Sequence, residues 1–202
     1  MNTPLIDAQS VSKSFDTRQG SLCALQDFSL QMHEGEVVCI VGASGCGKST
    51  FLNIVAGFTT PSSGQVLLDG REIIGIEPRC GMIFQNYALF PWLTVRGNVA
   101  FGPHMKGVSR RHRHEQAQRW IDLVGLKGFE DAYPGELSGG MQQRVALSRA
   151  LANEPEVLLC DEPFAALDAM TRQIMQQELL KIVQDSQKTV LFITHSIDEA
   201  LV

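Results

Sequence analysis

An apolar run that leads directly into a glycine-rich loop constrains this chain more than any other feature. The run is Val37-Val38-Cys39-Ile40-Val41, and the loop is Gly42-Ala43-Ser44-Gly45-Cys46-Gly47-Lys48-Ser49-Thr50. An uninterrupted apolar run predicts a strand buried on both faces. The loop has the spacing GxxxxGK[ST], placed after such a strand and before a helix. An ordinary glycine-rich turn is the alternative, but it leaves the strand, the lysine and the serine together unexplained.

The loop has the chemistry of a phosphate site. Its glycines allow backbone N–H groups to surround an anion, and the N-terminus of the following helix adds a positive end. Lys48 can reach the β- and γ-phosphates of a nucleotide, and the Ser49 hydroxyl can ligate Mg²⁺. The loop alone therefore predicts a nucleoside triphosphate site, without saying which reaction follows.

Further apolar runs bounded by turn residues predict an α/β fold. Strands are expected at 25–32, 66–68, 82–84, 157–160 and 189–193, the first antiparallel and the last two buried. Between the last two lies a helix with Met175, Leu179, Ile182 and Val183 on one face. Buried strands that alternate with helices indicate a parallel sheet, which binds ligands beyond the carboxyl ends of its strands. The polar, helical stretch from Phe101 to Gly135 predicts an inserted helical subdomain.

Composition limits the class of protein. With 202 residues, 44% hydrophobic and 19% charged, the chain can form one domain, or one domain with a subdomain. A net charge of −5 argues weakly against a dedicated nucleic-acid binder. Arg110, Arg111 and Arg113 form the one dense basic patch, which is better explained as a solvated helix start than as a binding site. We find no signal peptide and no apolar stretch long enough to span a bilayer, and expect a soluble chain.

Five cysteines without metal-binding spacing favour a reducing cytosol. Two of them, Cys39 and Cys160, lie inside apolar runs, where a thiol behaves as a small hydrophobic group.

Two acidic residues end the strand Val157-Leu158-Leu159-Cys160. A carboxylate at this position, Asp161, can hold Mg²⁺, usually through water. Its neighbour Glu162 can accept a proton from an attacking water. Taken alone, both could equally be solvated acids at the end of a strand. The phosphate loop in the same chain makes the catalytic interpretation the better one.

A second anion site is predicted at Leu137-Ser138-Gly139-Gly140-Met141-Gln142-Gln143-Arg144. Ser138 is suited to cap a helix that runs to about Ala152, and the two glycines allow close approach. The alternative is a simple helix start. One chain would then have two phosphate-binding helix ends for one nucleotide loop. Head-to-tail pairing of two chains, each giving Ser138 and Gly139 to the other's γ-phosphate, resolves this mismatch.

Together, LSGGMQQR, GASGCGKST and VLLCDEP resemble the ATP-binding subunits of ABC transporters. The resemblance runs from Leu5 to the last residue. It implies the P-loop NTPase core of ABC ATPases, with a mostly parallel sheet, an N-terminal antiparallel β part and a helical subdomain at about 86–136. It also implies a single domain over 1–202 that is short at its C-terminus, because the family normally continues past Asp198-Glu199-Ala200.

The resemblance assigns roles to four further residues. Phe15 matches the aromatic residue that stacks on adenine, although a core phenylalanine is the alternative. Gln85 matches the glutamine that senses Mg²⁺, attacking water and transporter. Asp168 matches a loop that crosses the dimer interface, and it can also cap the helix near Ala169. His195 matches the histidine that contacts the γ-phosphate.

The run from Gly81 to Val95, with Pro-Trp-Leu-Thr-Val at its end, resembles the importers of nitrate, taurine and alkanesulfonates. The segment Ala165-Ala166-Leu167-Asp168-Ala169 supports that branch, although Ala166 stands where Ser or Gly is more usual.

The expected function is that of an ABC importer subunit. Two chains would sandwich two Mg-ATP, and hydrolysis would drive solute uptake through separate membrane permeases served by a solute-binding protein. The resemblance implies a cytoplasmic chain, peripheral on the inner face of a bacterial plasma membrane, with no nucleic-acid partner. A soluble ABC ATPase that acts on DNA or ribosomes is the main alternative, and a non-catalytic nucleotide-binding remnant is another.

Overall fold

The computed structural model describes residues 3–18, 20–165, 167–186, 188–196 and 200, without the side chains of 184–186. The chain divides into two compact units. The first comprises Met1–Cys80, Glu156–Asp161 and Ser186–Val202, and the second comprises Gly81–Pro155 and Glu162–Asp185. The second unit therefore contains the segment 86–136, the helix that follows it at 139–151 and residues 162–185, which include Asp168.

The described residues form eight strands and six α-helices. The strands are β1 Ile6–Thr17, β2 Gly20–Met32, β3 Val37–Val41, β4 Ser63–Leu68, β5 Arg71–Glu72, β6 Cys80–Ile83, β7 Val157–Asp161 and β8 Thr189–Thr194. The helices are α1 Lys48–Val55, α2 Val95–Val99, α3 Phe101–Met105, α4 Arg110–Leu123, α5 Gly139–Leu151 and α6 Ala169–Ser186. None of the described helices is long and apolar enough to span a membrane. These elements confirm the predicted α/β class.

An antiparallel sheet with the strand order β2-β1-β4-β5 forms the N-terminal part of the first unit. Ile6 lies between Met32 on β2 and Leu68 on β4, and all three side chains are fully buried. Strand β2 begins at Gly20, five residues before the predicted start at Leu25, because the pairing with β1 continues to the pair Thr17–Gly20. Bulges in β1 interrupt the alternation of apolar and polar residues, so the sequence pattern did not reveal that strand.

Three parallel strands, in the order β3-β8-β7, carry the chemistry of the first unit. Strands β7 and β8 are buried, as predicted. The prediction that β3 is buried on both faces is wrong, since Val37 and Val41 are 47% and 42% exposed. Among the described strands β3 pairs only with β8 and stands at the edge of the sheet, so its ends are less covered. The register pairs Val41 with Thr194 and Asp161 with Ile193, which aligns the carboxyl ends of all three strands.

In the second unit, polar N-caps fix where three helices begin. Thr94 accepts a hydrogen bond from Gly97 N at the start of α2, Ser109 from His112 N at α4, and Ser138 from Met141 N at α5. Helix α5 runs to Leu151, in agreement with the sequence. The predicted apolar face of α6 is also confirmed, because Met175, Leu179, Ile182 and Val183 are all buried.

Candidate functional site

The glycine-rich loop connects β3 to α1 and leaves no room for side chains at two of its glycines. Gly47 has φ +95°, and a Cβ there would collide with the carbonyl oxygen of Ala24 on β2. A Cβ on Gly42 would lie 2.9 Å from Cys46 Sγ. Gly45 has φ +81° and faces open space, as do the exposed Ala43 and Ser44. The antiparallel sheet therefore supports the loop from one side, and the loop is tight enough to present its backbone to an anion.

Lys48 is the first residue of α1 and is only 8% exposed. Its Nζ donates hydrogen bonds to the carbonyls of Gly42 and Ala43 at 2.8 and 2.9 Å. The ammonium is thus held against the loop by two of the loop's own carbonyls. A buried, oriented cation beside the N-terminus of a helix fits the binding of phosphate.

Ser49 and Asp161 bring two oxygen ligands together. The Ser49 hydroxyl donates to Asp161 Oδ1 at 2.9 Å, which connects the first turn of α1 to the end of β7. Mg²⁺ prefers oxygen ligands and usually takes only one or two from the protein, with phosphates and water completing its octahedron. The pair fits such a cation. Thr50 follows in the same helical turn and is half-buried.

Glu162 follows Asp161 in a left-handed conformation, with φ +44°. This region is unfavourable for residues other than glycine, and such strain is concentrated at functional sites. The Glu162 carbonyl accepts a hydrogen bond from Ala165 N at 3.1 Å, which closes a turn directly after β7. His195 follows β8 and is exposed, so it lies at the same edge of the sheet as the end of β3.

The second predicted anion site is the N-terminus of α5. Ser138 Oγ accepts the hydrogen bond of Met141 N at 3.3 Å, so the helix-start explanation holds at least in part. A Cβ on Gly140 would lie 2.8 Å from Thr171 Cγ2 on α6, and a Cβ on Gly139 would lie 3.8 Å from Tyr87 Oη. A side chain at position 140 would therefore have to displace Thr171, in addition to any role of Gly140 toward a ligand.

Three residues whose roles came from the family resemblance lie in exposed positions. Phe15 on β1 is 40% exposed and has Lys13 Nζ 5.1 Å from its ring centroid, so the core alternative is wrong. Gln85 is exposed in a turn after β6. Asp168 caps α6 as the sequence allows, since Asp168 Oδ1 accepts from Thr171 N at 3.0 Å. Hydrogen bonds from the side chain and the backbone of Thr171 lower the pKa of Asp168.

Two side chains that the sequence analysis missed organise the segment after Gln85. Asn98 is fully buried and makes four hydrogen bonds to the backbone of residues 90–94. Arg149 near the end of α5 donates to the carbonyls of Tyr87 and Ala88. Asn98 could have been noticed from the sequence, because it is a polar residue next to the apolar positions of a short helix. For Arg149 the sequence offers none beyond its place in the last turn of α5.

Comparison with known proteins identifies relatives over nearly the whole chain. The family described as ABC transporter matches residues 25–165. An uncharacterised ABC transporter ATP-binding protein of Methanocaldococcus jannaschii is 52% identical over 97% of this chain and 73% of its own length. The taurine import ATP-binding protein of Roseobacter denitrificans is 49% identical over 97% and 74%. The nitrate import ATP-binding protein of a Synechocystis species is 47% identical over the same shares.

Two solved structures have the same fold. The dimeric structure of a bacterial ABC transporter cassette superimposes with a TM-score of 0.87 at 35% identity, covering 97% of this chain and 90% of the other. A post-hydrolysis state of that cassette bound to ADP and Pi gives 0.85 at 34%, covering 96% and 90%.

Proposed function

The chain belongs to the ABC transporter family and is an ATPase of that family, and from this premise we propose that it drives a membrane importer as one half of a head-to-tail dimer. The observation that carries the proposal is the grouping of Lys48, Ser49 and Asp161. Lys48 is hydrogen-bonded to the phosphate loop, and Ser49 is hydrogen-bonded to Asp161 at the end of β7. This set has the charge and the oxygen ligands that a nucleoside triphosphate with its cation requires.

In the proposed reaction the protein mainly positions and stabilises charge. Lys48 and the loop N–H groups, from Gly42 to Thr50, hold the phosphates, and Phe15 stacks on the base. Ser49 and Asp161 would hold Mg²⁺, which would supply neutralisation of charge on the phosphate oxygens, and the family resemblance adds Gln85 to the ligands. Glu162 accepts the proton of the attacking water, and His195 orients the γ-phosphate.

The second half of the site comes from another copy in this proposal. Ser138, Gly139 and Gly140 start α5 in the second unit, and they would contact the γ-phosphate held by the partner's loop, with Asp168 at the interface. The dimeric cassette with the same fold supports the arrangement. We take 1–202 as one ATP-binding domain, with its helical subdomain at about 86–136.

The transport role is proposed from the relatives. Two of them carry names of taurine and nitrate import proteins, so we propose uptake of a small oxyanion of the nitrate or sulfonate type. The chain would act at the cytoplasmic face of the plasma membrane, with separate permeases and, through them, a solute-binding protein. The stretch from Gln85 to Trp92, where Trp92 is 70% exposed, and the helical subdomain would face the permease.

The substitution Glu162→Gln tests the proposal. It keeps the shape of the side chain and removes the base, so ATP binding should persist. Hydrolysis should fall by roughly 10² or more, the usual scale for the loss of a general base. Because hydrolysis reopens the sandwich, this variant should accumulate as a dimer with Mg-ATP, measured by size exclusion with light scattering. Glu156→Gln, at the residue directly before β7, is the matched control and should behave as the unmodified chain.

Adding Ser138→Arg to Glu162→Gln should abolish the dimer, because a bulky side chain fills the gap for the partner's phosphate. Nucleotide binding to each chain should remain. The measurement is repeated with the permease present. A Glu162→Gln chain that binds ATP yet stays monomeric in both settings would overturn the shared site, and full hydrolysis by this variant would overturn the role of Glu162.

A further inference from the structure

The segment from Gln85 to Trp92, which we call the Gln85 segment, is held in a strained conformation. Tyr87 and Ala88 both have left-handed backbones, with φ +60° and +46°. Two consecutive residues with a Cβ are rarely found in this region, because the side chain approaches the following carbonyl. Such a conformation persists only where surrounding contacts determine it.

Arg149 supplies those contacts from α5. Its Nη1 donates to the carbonyl of Ala88 at 2.5 Å, and its Nη2 donates to the carbonyl of Tyr87 at 3.0 Å. The guanidinium carbon also lies 5.6 Å from the ring centroid of Phe90, in the same segment. The planar fork of arginine thus matches the two carbonyls that the left-handed residues turn toward it.

The guanidinium is used in an unusual way. Arg149 has no carboxylate within ion-pair distance among the described residues, although it is largely withdrawn from water. That burial lowers its pKa. An arginine in the last turn of a helix could serve only to complement the helix dipole. A solvated side chain would serve that purpose, whereas this one is directed onto one strained turn.

The same turn also contacts the beginning of α5. Tyr87 is 8% exposed, and its hydroxyl lies close to Gly139, in the predicted anion site. Among the described residues that hydroxyl has no hydrogen-bond partner. The Gln85 segment therefore touches α5 through Tyr87 at the first turn and through Arg149 at the last.

We propose that Arg149 is a positioning residue that fixes the Gln85 segment to helix α5, so that Gln85 and Ser138 keep a constant spacing. This inference rests on the proposed function, in which Gln85 and Ser138 act on the nucleotide. The contacts of the Arg149 side chain are to the Gln85 segment, so we assign it no direct contact with nucleotide or attacking water. Its role is to keep the residue that senses the cation and the residue that contacts the partner's phosphate in one rigid piece, with Tyr87 packed between them.

The test compares Arg149→Ala and Arg149→Lys, with Arg111→Ala as the matched control. Arg111 is an exposed arginine of the same unit, paired with Glu115 on α4. For Arg149→Ala we expect kcat for ATP to fall about tenfold with KM and nucleotide affinity within twofold. Lysine should recover only part of this loss, since it lacks the fork. Arg111→Ala should leave all three quantities unchanged.

A second readout does not depend on activity. In a Trp120→Phe background, Trp92 is the single tryptophan and reports the order of the Gln85 segment through its fluorescence anisotropy. We expect Arg149→Ala to lower this anisotropy at an unchanged urea midpoint. Because glycine adopts φ +46° without strain, adding Ala88→Gly to Arg149→Ala should restore kcat several-fold.

Three results would overturn the inference. The first is an Arg149→Ala chain with unchanged kcat and anisotropy. The second is a loss of kcat accompanied by a lowered urea midpoint that accounts for it, which would indicate a structural role only. The third is a double variant with Ala88→Gly that recovers nothing. An unmodified chain without ATP hydrolysis would instead contradict the proposed function, so the two failures are distinguishable.

Discussion

Single residues decide which of the five thiols can react. Cys46 and Cys23 are exposed, while Cys160 is buried and Cys39 and Cys80 are partly buried. Burial raises the pKa of Cys39 and Cys160, and raises that of Cys80 to about 12. Because the thiolate is the reactive form, these three should resist alkylation in the folded chain.

We predict that Cys46 is the thiol whose modification stops nucleotide binding. It lies in the phosphate loop, 3.9 Å from Lys48 Nζ. In a Cys23→Ser background, an alkylating reagent should label Cys46 and block ATP binding, and Mg-ATP should slow the labelling several-fold. Mass spectrometry of timed samples measures both. AMP, which lacks the β- and γ-phosphates, is the control and should protect little. Equal labelling rates with and without Mg-ATP would count against the loop assignment.

The types of residue and their spacing were enough to predict a phosphate and metal site, and the structure adds the contacts between these residues. The sequence identified Lys48, Ser49 and Asp161 because each follows an apolar run at a fixed spacing. It could not reveal the hydrogen bond from Ser49 to Asp161, which depends on the pairing of strands far apart in the chain. Arg149 escaped notice for the same reason, since its partners are carbonyls some sixty residues away.

At the scale of elements, one buried amide on α2 holds the end of the Gln85 segment and the two residues that follow it. Asn98 Nδ2 donates to the carbonyls of Phe90, Leu93 and Thr94 at 3.0–3.1 Å, and Asn98 Oδ1 accepts from Phe90 N at 2.9 Å.

We predict that Asn98→Ala lowers the free energy of unfolding by about 2–3 kcal/mol, since it removes four hydrogen bonds to the backbone, among them the one that Phe90 N donates. Asn98→Asp should be at least as damaging, because a carboxylate would face three carbonyls. Urea unfolding curves measure both. Asn86→Ala, at an exposed position in the same unit, should change stability by no more than about 0.5 kcal/mol. Equal midpoints for Asn98→Ala and Asn86→Ala would show that the amide is not needed.

Elements with a regular apolar pattern were predictable, and those shaped by their neighbours were not. Strands β7 and β8, the face of α6 and the extent of α5 follow from runs, spacing and caps. Bulges in β1 disturb the alternation of apolar and polar residues. The extent of this strand therefore follows from its pairing with β2 and β4. Burial of β3 depends on how many strands flank it, which an apolar run of five residues does not report.

At the scale of the whole molecule, we expect the exposed edge of β3 to affect association. Val37 is 47% exposed at the start of this edge strand. Exposed apolar edge strands pair with other chains, and an added lysine prevents such pairing. We predict that Val37→Lys slows aggregation at 37 °C several-fold, followed by light scattering, without changing ATP affinity, because Val37 lies at the opposite end of β3 from Gly42.

Ile74→Lys is the matched control for that experiment. Ile74 is 79% exposed but lies outside any strand. If edge pairing causes the aggregation, Ile74→Lys should have a much smaller effect. Equal effects of the two substitutions would point to general apolar exposure, and no effect of Val37→Lys would remove β3 from the explanation.

The hydrogen bond between Ser49 and Asp161 fixes where two segments of the first unit meet. Because the hydroxyl donates to the carboxylate at 2.9 Å, the first turn of α1 is tied to the end of β7. Under the proposed function, a cation that binds both oxygens would replace this hydrogen bond, so its binding would exchange one contact for two instead of gathering two independent side chains.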